Sequence, residues 1–73
     1  MKLLIADDDA TSRMLLEAML TKWDFECVMA EDGEAGWELM QVKNPPRFLF
    51  IDWEMPKMNG IELIKRIRQQ QTN

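Results

Sequence analysis

Four aspartates stand where apolar runs end. "KLLIA" (2–6) gives way to Asp7, Asp8 and Asp9, and "FLFI" (48–51) gives way to Asp52. Carboxylates are hard oxygen donors, and several converging on one point repel each other unless a cation shares the site. A hard divalent ion such as Mg²⁺ needs one or two such ligands and completes its shell with water or phosphate oxygens. A carboxylate beside that ion can attack phosphorus, while the metal offsets charge on the phosphoryl oxygens. The plain alternative for the acidic triplet is a solvated loop at a helix start, where peptide dipoles attract anions anyway. The choice turns on whether the fold brings Asp52 to the same place.

Hydrophobic periodicity indicates the elements that must do so. "KLLIA" reads as a buried first strand. From about Thr11 the period is helical, with Leu16, Met19, Leu20 and Trp23 on one face and Asp9 or Thr11 as cap. "FECVMA" (25–30) alternates as a strand near a sheet edge does. "EDGEAGWELMQVK" opens on an Asp-Gly turn and carries Trp37 and Met40 on one face of a second helix, weakened by Gly36 and stopped by "NPP". Residues 47–52 read as a third strand buried on both faces. Gly60, Leu63, Ile64 and Ile67 then mark a third helix, with Lys65, Arg66 and Arg68 toward solvent.

The order βαβαβα is that of an α/β fold with a parallel sheet. Right-handed crossovers in the strand order 2-1-3 place helix one on one face and helices two and three on the other. Ligands of such sheets bind at the carboxyl ends of the strands flanking the switch point, here strands one and three. Those ends are Asp7-Asp8 and Asp52, so topology gathers three carboxylates in one crevice.

Composition narrows the chemistry. Seventy-three residues make one small domain. With no histidine, histidine-based acid–base catalysis and histidine metal ligation are excluded. The net charge of -4, with no basic cluster longer than Lys65-Arg66-x-Arg68, speaks against direct nucleic-acid binding by this segment. Cys27 has no partner for an internal disulfide, and the apolar runs are too short for a membrane span. A cytoplasmic location is expected.

"LLIADDDATSR", followed about 40 residues later by "FLFIDWEMPKMNGIELIKRIR", resembles the receiver domain of a two-component response regulator. The resemblance spans essentially the whole chain, and hydrophobic-Asp-x-x-Met-Pro-x-Met-x-Gly is its most specific segment. It implies a flavodoxin-like fold, with Asp52 as the phospho-accepting residue and Asp8 as a direct ligand of Mg²⁺ (or Mn²⁺). Asp7 would bind the metal mainly through water, and Glu54 would offer its backbone carbonyl. The implied partners are a sensor histidine kinase, as phosphohistidine donor, and an output domain or effector. The domain would be a regulatory switch rather than a turnover enzyme. Trp53, next to the acceptor, reads either as a residue of the pocket rim that gates access or as simple packing.

Receivers run to roughly 120 residues with five strands, a usual single-domain size. Residues 1–73 are accordingly expected to be a partial receiver holding the first three β/α units. The family's hydroxyl residue, aromatic switch residue and lysine, which follow or lie on its later strands, are absent. The third strand would be left as an apolar edge prone to self-association.

Two other readings compete. A receiver-like interaction module would bind partners without phosphorylation. Asp7-x-Asp9-x-Thr11 also fits the opening motif of haloacid-dehalogenase-like phosphatases, although it leaves residues 48–60 unexplained. Elsewhere the plain readings hold: methionines and Cys27 as core filler, Trp23 and Trp37 as core or helix-edge aromatics, and Arg13 as a solvated helix residue. Gly60 is expected to supply a positive φ or a close approach.

Overall fold

The computed structural model describes residues 1–71; Thr72 and Asn73, part of the expected 1–73 domain, lie outside the described residues. The elements are β1 (Lys2–Ala6), α1 (Ala10–Thr21), β2 (Glu26–Ala30), α2 (Gly33–Leu39), β3 (Phe48–Ile51) and α3 (Gly60–Gln71). The strands form one parallel sheet in the order β2-β1-β3, the flavodoxin-like arrangement. Central β1 is buried from Leu3 to Ala6.

Alternation along β1 separates two layers. Leu4 and Ala6 join Ala30, Met55, Met58, Leu63 and Ile67 in the main core, on the side covered by α2 and α3. Leu3 and Ile5 face the other side, where α1 lies against β1 and β2. α1 buries none of its residues completely. Its face is shorter than the spacing predicts, because the helix ends at Thr21. Asp24 takes a left-handed φ of 68°, and Phe25 N–H reaches back to the Leu20 carbonyl at 3.2 Å. This is the usual way a helix is closed off by a residue with positive φ. Trp23 therefore leaves the helix and stands 68% exposed, not in the core.

β3 also departs from expectation. Phe48, Leu49 and Phe50 are 41%, 39% and 50% exposed, because β3 has a partner on one side only. An apolar run of this kind marks a strand suited to burial; whether it is covered depends on what lies beside it. Cys27 is half-buried rather than buried. Among the methionines, Met55 and Met58 belong to the core, whereas Met1, Met14, Met19 and Met29 are exposed. No helix among the described residues is long and apolar enough to cross a membrane.

Candidate functional site

Sheet register brings the acids together. β1 and β3 pair from Leu3↔Phe48 to Ala6↔Ile51, so one step further Asp7 stands level with Asp52. The ladder continues beyond the strands: Asp52 N–H donates to the Ala6 carbonyl at 2.8 Å, and Asp7 N–H to the Ala30 carbonyl at 3.1 Å. Both acids thus leave the sheet on fixed backbone. One carboxylate oxygen from each of Asp7, Asp8 and Asp52 falls in a group whose members lie within 4.8 Å of one another. Asp7 and Asp52 are half-buried and Asp8 is exposed, so the group opens to solvent on one side.

Local polar bonds hold the loop that carries Asp7 and Asp8. Asp9 N–H donates to Asp7 Oδ1 at 2.9 Å. The Asp9 carboxylate is the cap of α1, accepting from Thr11 N–H at 3.2 Å and from Ser12 Oγ at 2.8 Å. The Ser12 hydroxyl, then the Thr11 amide, and more weakly the Arg13 charge hold the Asp9 carboxyl below its ordinary pKa. Asp9 is therefore engaged in capping and is not part of the acidic group. Arg13 is not simply solvated: Nη1 donates to the Asp7 carbonyl at 2.7 Å in a half-buried position. The available signal was a cation one turn into a helix that follows an acidic loop.

Packing holds the loop that carries Asp52. Met55 and Met58 drop into the core at 9% and 6% exposure. Asp32, at 7% exposure, caps α2 through Ala35 N–H at 2.7 Å and faces Lys57 Nζ at 3.7 Å. Lys57 itself adopts a left-handed φ of 69°, a conformation uncommon for a side-chain-bearing residue. Gly60 N–H donates to the Trp53 carbonyl at 3.0 Å. A Cβ at Gly60 would stand 2.2 Å from the Asp52 carbonyl oxygen, so of the two reasons expected for this glycine the close approach is the one that applies. Gly33 is needed on the same ground, since its Cβ would meet the Met58 carbonyl oxygen at 1.8 Å.

Trp53, 70% exposed, shares with Asp52, Gly60, Ile64 and Arg68 the wall of an open cavity of about 330 Å³. The Glu54 side chain is exposed and lies outside the acidic group. The structure thus brings together Asp7, Asp8 and Asp52, with Trp53 beside Asp52.

The response regulator receiver domain family matches residues 3–73. The chain belongs to this family. A chemotaxis protein CheY homolog of Campylobacter jejuni is 41% identical over 69 residues, which are 93% of this chain and 53% of that protein. The transcriptional regulatory protein CpxR of Escherichia coli is 37% identical over 68 residues, 93% of this chain and 28% of its own. Among solved structures, the Francisella response regulator 1452 receiver domain superposes with a TM-score of 0.89 at 32% identity, covering 99% of this chain and 59% of that one. Response regulator TrrA of Thermotoga maritima, in complex with Mg²⁺-BeF, gives a TM-score of 0.90 at 30% identity, covering 97% and 61%. The receiver chain spans about half the length of the curated CheY relatives it matches. As a receiver it is a regulatory part of two-component signalling, and the phosphatase reading of Asp7, Asp9 and Thr11 is set aside.

Proposed function

We propose that the receiver accepts a phosphoryl group on Asp52 from a phosphohistidine of a sensor histidine kinase. The convergence of Asp7, Asp8 and Asp52 within 4.8 Å carries this reading. The donor set suits Mg²⁺ or Mn²⁺: all donors are hard oxygens, and oxygens on opposite sides of an octahedral Mg²⁺ lie about 4.2 Å apart. Asp8, Asp52 and the Glu54 backbone carbonyl would hold the ion, with Asp7 assisting through water. The ion would neutralise charge on the transferring phosphoryl oxygens. One Asp52 carboxylate oxygen attacks phosphorus, the P–N bond breaks, and its electron pair returns to the donor imidazole. The aspartyl phosphate then acts as a switch read by an output domain or effector. Trp53, on the cavity wall beside Asp52, would limit access to the acceptor.

We further propose that residues 1–73 are the first three β/α units of a longer receiver, in a cytoplasmic protein. The span of about half its relatives supports the partial domain. The half-exposed β3 edge supports association of this segment with a second copy; sedimentation as a clean monomer at high micromolar concentration would rule that out.

Acetyl phosphate with Mg²⁺, followed by intact-mass measurement, tests the main proposal. Wild type is expected to gain one phosphoryl group only when Mg²⁺ is present, and Asp52→Asn to gain none. An adduct that persists in Asp52→Asn overturns the assignment. Wild type that neither binds Mg²⁺ nor forms an adduct would favour a receiver-like interaction module.

A further inference from the structure

We infer that Arg13 is a positioning residue for the acidic site: its guanidinium fastens the β1–α1 loop so that Asp7 and Asp8 are presented to a divalent cation beside Asp52. This rests on the metal reading above and deepens it. Arg13 is anchored at its own backbone, where its N–H donates to the Asp9 carbonyl at 3.0 Å within the first turn of α1. From there the side chain reaches back across six residues to the Asp7 carbonyl at 2.7 Å. One side chain therefore ties the end of β1 to the start of α1, and Asp7 and Asp8 lie inside the loop so closed.

Two observations give this tie its weight. α1 has no fully buried residue, so packing of the helix alone does little to fix the loop it begins. The carbonyl that accepts from Arg13 is that of Asp7 itself, whose carboxylate lies in the acidic group with those of Asp8 and Asp52. A guanidinium at that carbonyl makes a charge-assisted hydrogen bond and offsets part of the local negative charge.

The same charge works against a bound cation by simple repulsion, and the two effects have opposite signs. Repulsion across solvent is screened over about 8 Å at physiological salt. Loss of loop order is not screened. Positioning should therefore dominate, and salt separates the two.

The test is Mg²⁺ titration of the 73-residue chain, followed by calorimetry and by Trp fluorescence, for wild type, Arg13→Met and Arg13→Lys at low and high NaCl. Arg13→Met is expected to bind Mg²⁺ about tenfold more weakly, as loss of an outer-shell partner does, with the same ratio at both salt concentrations. Arg13→Lys, which keeps the charge and the ability to donate but not the planar guanidinium, should recover part of that loss. Thermal melts followed by circular dichroism should move little for either variant, which separates positioning from general stability. If Arg13→Met does not fold, Arg13→Lys decides: weaker binding than wild type by a folded chain supports the tie, and wild-type affinity overturns it. Unchanged or tighter Mg²⁺ binding by folded Arg13→Met also overturns it. Absence of Mg²⁺ binding by wild type is a separate result, since it removes the metal site itself and the inference with it.

Discussion

Two loops carry the three converging carboxylates, and different forces hold them. The loop after β3 is held by the core: Met55 and Met58 are buried beneath it, Gly60 closes against the Asp52 carbonyl, and buried Asp32 meets Lys57. The loop after β1 is held by its own polar groups: Asp9 on Thr11 and Ser12, and Arg13 on the Asp7 carbonyl. The first is as rigid as the packing around it. The second depends on hydrogen bonds that water can replace one by one. A receiver built this way keeps Asp52, the proposed acceptor, on firm ground and leaves the loop of Asp7 and Asp8 more easily adjusted.

Substitutions can sharpen or break this contrast. Around the Asp52 loop, stability and Mg²⁺ affinity should fall together. Leu63 is fully buried in the core that carries this loop, and Leu63→Ala should cost about 3 kcal/mol in urea unfolding. Gly60→Ala forces a Cβ onto the Asp52 carbonyl and should cost about 2 kcal/mol, as overpacking does, with a matching loss of Mg²⁺ binding. Asp32→Ala removes the α2 cap, for about 1 kcal/mol in the same assay. Wild-type Mg²⁺ affinity in folded Gly60→Ala would break the proposed link between packing and site.

The β1–α1 loop should behave in the opposite way, with small changes in stability. Its pH response follows from Asp9, whose carboxyl pKa is lowered in the folded chain. A lowered carboxyl pKa contributes stability that is present above the unfolded-state value and lost as pH falls through the folded-state value. Protection of the first α1 amides against hydrogen exchange should therefore decline toward strongly acid pH. Asn also caps helices well and does not titrate, so Asp9→Asn should flatten that decline. An equally steep acid limb in Asp9→Asn would show that other carboxylates govern it. This is the smallest of the expected effects, because Asp9 is exposed.

Much of this arrangement can be read along the chain. The alternation of apolar runs with helical periods predicts six elements; β1 has its expected bounds, β2 starts one residue later than expected, and β3 is one residue shorter at each end. Asp52 at the end of "FLFI" and Asp7-Asp8 at the end of "KLLIA" also mark which ends of the strands matter. Other features stay hidden. Trp23 continues the apolar period of α1, yet Asp24 ends the helix before it. Arg13 has the sequence setting of an ordinary surface cation, and only the return of its side chain to Asp7 gives it a structural part. The hydrocarbon of β3 implies burial on two sides, whereas its position at the sheet edge supplies one partner.

Residue order by itself determined the succession of strands and helices, the parallel sheet and the acids at its carboxyl ends, because these follow from local periodicity and chain handedness. Tertiary structure decided the level at which Asp7 meets Asp52, the burial of Met55 and Met58 that anchors the 53–59 loop, and the tie from Arg13 to the end of β1. The physical reason is range. Periodicity reports what each segment does alone, while register, close approach and charge pairing depend on residues six to more than forty positions apart.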